Sequence, residues 1–356
     1  MKQRILYYDI IRTLACLMVI MMHSPYEIPK GTPLENVPRI IASFLGACSY
    51  LTTPCVPLFF MLSGALLLPC GLDRPVFSYV NKCLKRLVCP ILLFTIVSLY
   101  FGLNLDMINR PLWYRIISIP FSYQGHGVLW FLYVLVGLYL LVPIISPWLR
   151  QTSRRSIELY LSLWSVSLFY PYLERYVWLE TSTAGILYYF SGYIGYFLLG
   201  YYLREYDISL KIMIPLTIVC IPLPVLNKYC GWNYDFYKAF WYLSAPVAIM
   251  SVTLFLTIKK IFIGKTLSGL TGKVVNIISN YSLGIYLIHV FIMRLIVWKL
   301  PLVLNISNYI VQSIVIFCLT LLMTTFICWI LSKLPFSQYV IGYKSDTPFF
   351  NINKRK

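Results

Sequence analysis

Long apolar runs separated by short basic segments decide the fold class of this chain before any motif is read. A helix needs about 20 apolar residues to cross hydrocarbon. About ten runs reach or approach that length, at 6–25, 43–68, 84–103, 127–147, 156–173, 183–203, 211–226, 239–262, 274–298 and 308–334. The run at 211–226 is short and broken by proline. Hydrophobic residues make up 59% of the 356 and charged residues only 12%, about half the share that a soluble domain carries. Backbone in lipid must satisfy its own hydrogen bonds, which single spanning segments achieve as helices. The expectation is an all-α polytopic transmembrane bundle of about ten helices over residues 1–335, with a short tail at 336–356.

A net charge of +18 would suit a nucleic-acid partner by its size, but its distribution points elsewhere. With the N-terminus placed in the cytoplasm and the sides alternated at each run, twenty of the 30 basic residues fall in cytoplasmic segments and nine in outer ones, with Arg12 inside the first run. This is the positive-inside asymmetry. It predicts both termini in the cytoplasm, membrane lipids as the surroundings and no nucleic-acid partner. The first run reads as a signal-anchor: Asp9 and Arg12 interrupt its start, and no small-residue cleavage pattern follows His23.

The ten cysteines contain no C-x-x-C pair and the three histidines are far apart, so the sequence offers no metal-ligand spacing. The cysteines read mainly as small buried hydrophobes. There is neither a P-loop nor a dinucleotide fingerprint.

Chemistry concentrates in the first run, YYDIIRTLACLMVIMMHS, where Asp9, Arg12 and His23 occupy positions that hydrocarbon disfavours. Asp9 precedes Arg12 by one turn, close enough to pair with it. Arg12 and His23 are eleven residues apart, about three turns, and so share a face with a rise of about 16 Å between them. One helix face therefore offers a cation near one membrane surface and a titratable imidazole toward the other. Imidazole suits deprotonation of a hydroxyl nucleophile, which makes His23 a candidate general base. The competing reading is an interfacial histidine whose ring reaches for water. Glu27, one turn beyond, could orient the ring or stand in solvent.

A second basic group, Lys82, Lys85 and Arg86 in NKCLKRLVCP, lies at the cytoplasmic start of the third run. It reads either as ordinary topological anchoring or as a phosphate site that Arg12 extends into the bilayer. His289, in NYSLGIYLIHVF, falls at about the depth of His23, so the two could face one cavity, although a lone intramembrane histidine is commonly a packing residue. Trp130 and Tyr139 read as interface and core aromatics. Ser63, Gly64, Gly195 and Gly200 read as small residues that let helices approach closely.

Taken in order, these segments resemble the acyltransferase 3 family of integral-membrane O-acyltransferases over nearly the whole chain. DIIRTLACLMVIMMH is similar to the family's arginine, ten residues, histidine pattern, with Arg12 and His23 at the matching positions. PLFFMLSGALL resembles its F-F-x-x-S-G motif, LWFLYVLVGLYLLVP its W-F-L segment, and YFLLGYYL and YSLGIYLIH its later spans. The nearest type is the short bacterial acetyltransferase without a fused esterase-like domain, of the enterobacterial-common-antigen kind. Two positions depart. Arg86 and Pro90 match the end of an R-x-x-R-like motif whose first position is Cys83, with Lys82 or Lys85 as substitutes. A histidine usual two residues before the tryptophan is Val128, so no role passes to His126.

The resemblance implies a multi-pass enzyme of the bacterial cytoplasmic membrane that O-acetylates a polysaccharide or its lipid-linked sugar precursor. Acyl-CoA, as acetyl-CoA, would be the cytoplasmic donor, and no cofactor would be bound. His23, Arg12 and Asp9 would form the catalytic group, with His23 as general base or transient acyl carrier. Lys82, Lys85 and Arg86 would hold the donor phosphates. His289, Glu27, Ser63 and Trp130 are candidates for supporting the base or lining the acceptor site. A glycan flippase using Asp9, Arg12 and His23 as a polar relay, and an assembly partner without chemistry of its own, are the alternatives. The first half has no inverted counterpart of its arginine–histidine helix in the second, which argues against a transporter built from repeats.

Overall fold

A computed structural model describes residues 5–25, 39–69, 75–101, 110–123 and 127–346. The elements in order are α1 (Leu6–His23), α2 (Arg39–Thr52), α3 (Cys55–Leu67), α4 (Val76–Tyr100), α5 (Leu112–Ser118), α6 (Trp130–Gln151), α7 (Arg154–Ser167) and α8 (Tyr170–Leu173). They continue with α9 (Ile194–Glu205), α10 (Leu210–Cys220), α11 (Leu223–Tyr229), α12 (Phe236–Ala239), α13 (Ala245–Phe262), α14 (Gly269–Leu295), α15 (Pro301–Leu304) and α16 (Tyr309–Ser332). Among the described residues there is no strand. The chain is an all-α polytopic membrane bundle.

Eight helical stretches are long and apolar enough to cross a membrane. Two of the ten expected runs form shorter pieces: 156–173 becomes α7 with the one-turn α8, and 183–203 is helical mainly as α9. Twelve residues of α9 span only about 18 Å, well short of the hydrocarbon thickness. Its position explains why that suffices. Tyr196 and Phe197 have no exposed surface, so α9 is an interior helix whose ends need not reach both lipid surfaces. The expected second run is itself broken into α2 and α3 at Thr53–Pro54.

Side-chain pairs near the helix ends show that the short segments nevertheless connect opposite ends of the bundle. At one end Arg154 donates to Tyr202 (3.0 Å), Lys259 meets Asp207 (2.8 Å) and Arg204 donates to the Ala65 carbonyl (2.8 Å). At the other, Lys238 meets Glu174 (3.2 Å), Arg175 donates to the Trp232 carbonyl (2.6 Å) and Lys228 to Ser43 (3.1 Å). The two sets sort the loops as charge alternation sorted them. The end holding Arg154, Arg204 and Lys259 is called the inner end below, the other the outer end.

The tightest helix pair is α3 with α9, and two glycines make it so. A Cβ on Gly64 would run into the Phe197 carbonyl oxygen, and one on Gly200 into that of Met61. Gly195 meets the Trp164 ring in the same way. Backbone contact of this kind is what drives helix association in lipid, where apolar burial gives no preference for protein over acyl chains. At the inner end of α9, the buried ammonium of Lys259 donates to the Leu203 and Arg204 carbonyls (2.9 and 3.1 Å) and so caps the helix. Helix α14 is central: from Ile278 to Met293 every residue but Asn280 and Leu283 is buried, whereas in the lipid-facing α10 only Cys220 is.

Beyond α16 the chain does not leave the bundle at once. Phe336 adopts a left-handed backbone (φ 67°) and turns the chain back. Ile341 then becomes fully buried, against Gly284 and, through it, the neighbourhood of Cys328. The expected tail thus begins as a packed hook. Of the described cysteines, Cys16, Cys55, Cys220 and Cys328 are buried, while Cys89, Cys230 and Cys318 are exposed, so burial accounts for fewer of them than expected.

Candidate functional site

The site is built on one contact, between α1 and α14, whose residues lie about 265 positions apart in sequence. Arg12 Nη1 donates to Ser279 Oγ (3.2 Å), Thr13 Oγ1 to the Val275 carbonyl (3.2 Å), and His23 meets His289 (3.4 Å). Both residue numbers rise together along the contact, so the helices run parallel and stay in register for about three turns. On α14 the participating positions Ser279, Ser282, Tyr286 and His289 recur at spacings of three and four, a single helical face.

At the inner end of this contact, Ser279 Oγ donates to Asp9 Oδ1 (2.6 Å), and Arg12 Nη1 lies 3.5 Å from the same carboxylate oxygen. The pairing expected from the spacing of Asp9 and Arg12 is present, and Ser279 joins it. Asp9 is buried while the Arg12 side chain retains 29% exposure. Burial of a carboxylate requires such partners. Arg12 keeps access to a cavity of about 380 Å³ that Ser63, Arg86, Tyr139, Ser279 and Asn280 also line. Gly342 and Tyr343, from the C-terminal hook, close part of its wall. Two guanidinium groups from different helices therefore face one inner cavity. Lys82 and Lys85 are exposed and are not among its lining residues.

At the outer end, His23 lines a second cavity of about 250 Å³ together with Trp130, Trp241, Tyr242, Arg294 and Trp298. His289 is fully buried behind it. The hydrogen-bond partners assign both imidazole tautomers. His289 Nδ1 faces the Tyr286 carbonyl at 2.6 Å and must carry a proton to donate, which leaves a lone pair on Nε2 of the neutral ring. His23 Nδ1 faces two acceptors, the Val19 carbonyl at 2.8 Å and His289 Nε2 at 3.4 Å. It too carries the proton, so His23 Nε2 holds a lone pair. A neutral imidazole fixed in that form can accept a proton from a hydroxyl.

Tyr286 lines both cavities and forms the wall between them. Its hydroxyl donates to the Val128 carbonyl (2.8 Å), and its ring packs on Phe131 at 5.0 Å and Phe59 at 6.2 Å between centroids. The Arg12 guanidinium and the His23 imidazole thus lie on opposite sides of an aromatic partition, with a rise of about 16 Å between their positions on α1.

Of the candidates from sequence, Arg12, Arg86 and Ser63 meet in the inner cavity, His23 and Trp130 in the outer one, and His289 links to His23. Glu27 and His126 lie outside the described residues. Sequence reasoning missed Ser279, Tyr286, Arg294 and the hook. The first two carried a signal: they share the face of His289 in NIISNYSLGIYLIH. The hook carried none, since GYK in a basic tail has no spanning pattern.

Among the described residues no cluster of three metal-ligating side chains exists. No curated protein and no solved structure shows significant similarity to the chain. A family model described as an acyltransferase domain, Acyl_transf_3, matches residues 5–333. That match takes in both ends of the α1–α14 contact, the glycine-packed α3–α9 pair, the outer cavity and all of the inner one but its Gly342–Tyr343 wall, and by it this multi-pass membrane protein belongs to the Acyl_transf_3 family of acyltransferases.

Proposed function

We propose that the protein transfers an acetyl group from acetyl-CoA, bound from the cytoplasm, to a hydroxyl of a glycan or lipid-linked sugar on the outer side of a bacterial cytoplasmic membrane. The observation that carries this reading is the pairing of two cavities along one helix: Arg12 and Arg86 in the inner one, the neutral imidazole of His23 in the outer one, with Tyr286 between. Arginine forks suit the diphosphate and 3′-phosphate of CoA. A pantetheine arm of that order of length leads from there along α1 toward His23. The Tyr286 ring stands between the two cavities, so this path requires the ring to move when donor enters.

The chemistry follows from the lone pair on His23 Nε2. As the sugar oxygen attacks the thioester carbonyl, its proton passes to Nε2. The tetrahedral intermediate collapses by breaking the C–S bond, and the departing CoA sulfur takes the proton back from the imidazolium. Ester and free thiol result, and the base is restored. His289 holds His23 in the required tautomer and Asp9 holds Arg12 in place.

Acceptor-dependent release of CoA from acetyl-CoA by purified protein in nanodiscs tests the reading. His23→Ala should lower turnover by about two to four orders of magnitude while acetyl-CoA still binds. A folded His23→Ala protein that acetylates at an undiminished rate would overturn the role of His23. Because only the neutral ring accepts a proton, the rate should fall as pH is lowered through the protonation of His23, and that acidic limb should vanish in the variant.

A further inference from the structure

We infer that the acceptor is an anionic sugar, a pyranose bearing a carboxylate or phosphate, held in the outer cavity with its charge on Arg294 and its ring against tryptophan. The inference rests on the acyltransfer reading above and names the substrate class of the same site.

Among the described side chains that line the outer cavity, donors outnumber acceptors. Among its described lining residues there is one cation, Arg294, and no carboxylate or side-chain amide. Trp298 Nε1 is buried and has no acceptor among the described residues, and an indole N–H can only donate. The hydroxyl of Tyr286 is committed to the Val128 carbonyl and that of Tyr242 faces Met22 Sδ at 3.6 Å. Apart from His23, the side chains that line the cavity offer donors. A ligand that satisfies them must bring acceptors, and an anion brings the strongest. Arg294 has five N–H donors in a planar fork, enough to hold a protein partner and a ligand oxygen pair together.

The apolar groups fit a sugar ring. Trp130, Trp241 and Trp298 all line this one cavity. Trp130 and Tyr242 are stacked, with centroids 5.7 Å apart and 29° between planes, and Trp241 packs on Tyr242 at 4.9 Å. They form a continuous aromatic wall, which receives the C–H face of a pyranose. The volume of about 250 Å³ lies just below the roughly 300–1,000 Å³ of drug-sized sites, room for one ring and its substituent. One of the ring's free hydroxyls would then donate to His23 Nε2, the side-chain acceptor that the cavity offers it.

A basic residue in the last turn of a helix is commonly a cap for its carbonyls, and Arg294 stands in the last turn of α14. A capping role alone predicts no ligand selectivity, which makes the two separable. Equilibrium dialysis of purified protein in nanodiscs, without donor, compares methyl β-glucoside, methyl β-glucuronide and glucose 1-phosphate. At least one of the two anions should bind about tenfold or more tighter than the neutral glycoside, and which one distinguishes a uronic acid from a sugar phosphate. Arg294→Gln should bring that ratio close to one, and Arg294→Lys, which keeps the charge and loses the fork, should give an intermediate ratio. Equal binding of charged and neutral glycosides by the unaltered protein, or an anion preference that survives Arg294→Gln, would overturn the inference. Should Arg294→Gln not fold, an Arg294→Lys protein with undiminished anion preference does the same. Adding acetyl-CoA then separates the two readings. Anion-selective binding with no CoA release leaves the ligand assignment standing and removes acyl transfer. Acetylation of methyl β-glucoside with no anion preference removes only the anionic acceptor.

Discussion

Nε2 of His289 lies 3.4 Å from Nδ1 of His23, across 266 positions of sequence, with the two rings tilted by 59°. Because His289 Nδ1 is held by the Tyr286 carbonyl at 2.6 Å, its Nε2 can only accept, and it fixes the proton of His23 on Nδ1, leaving the lone pair on the opposite nitrogen. The relay is fixed by backbone at both ends, Val19 on α1 and Tyr286 on α14.

Replacing His289 should therefore impair turnover more than donor binding. His289→Phe, which keeps most of the volume and removes the acceptor, should lower kcat by about tenfold or more while the KM for acetyl-CoA changes little. His289→Gln should recover part of the loss by accepting from His23 Nδ1. Equal kcat in the unaltered, Phe and Gln proteins would mean that Val19 alone orients the base.

Arg12 and Asp9 should separate when replaced singly. Arg12→Ala removes a cation from the inner cavity and the ion partner of a buried carboxylate. It should raise the KM for acetyl-CoA and cost about 1–3 kcal/mol of stability. Asp9→Asn should lower the melting temperature in detergent while leaving donor affinity as tight as before, because the guanidinium that faces the cavity remains. A donor KM that rises equally in both variants would place the carboxylate itself in the donor site.

Two glycines should respond oppositely to a methyl group. Gly200→Ala drives a Cβ into the Met61 carbonyl and should destabilise the α3–α9 pair by about 1–3 kcal/mol. Gly137→Ala, in α6, meets nothing within 4 Å and should be neutral or stabilising by up to about 1 kcal/mol through helix propensity. Thermal unfolding followed by static light scattering distinguishes them.

The C-terminal hook should matter for donor binding although it lies outside every spanning helix. Tyr343→Ala removes part of the inner cavity wall and should raise the KM for acetyl-CoA with little change in kcat. Ile341→Ala empties a fully buried position, and should cost about 2–5 kcal/mol. If both variants keep the donor KM of the unaltered protein, the hook packs against the bundle without serving the site.

Much of this was readable from residues alone, for a physical reason. Hydrocarbon allows few solutions, so apolar run length gave helices, and the pairs Lys238–Glu174 and Lys259–Asp207 each join segments that charge alternation had grouped at one end. Asp9, Arg12 and His23 stood out because each costs free energy in lipid, and their spacing on a 3.6-residue period placed them on one face. That face, and the pairing of Asp9 with Arg12, needed no partner helix to be inferred.

What periodicity could not supply is which helix that face meets. The meeting of α1 with α14 joins segments about 265 residues apart, and their register depends on close packing of side chains that are almost all aliphatic and interchangeable in pattern. Ser279 therefore reads as an ordinary small residue until it stands between Asp9 and Arg12, and Tyr286 as a core aromatic until cavities open on both of its sides. Arg86 separated from Lys82 and Lys85 only when the helix acquired a rotation, which turned one cation toward the cavity and left the other two outside it. Charge and hydropathy depend on the residue itself, whereas a cavity depends on which surfaces fail to fill the space between them, and that is decided only when the helices pack.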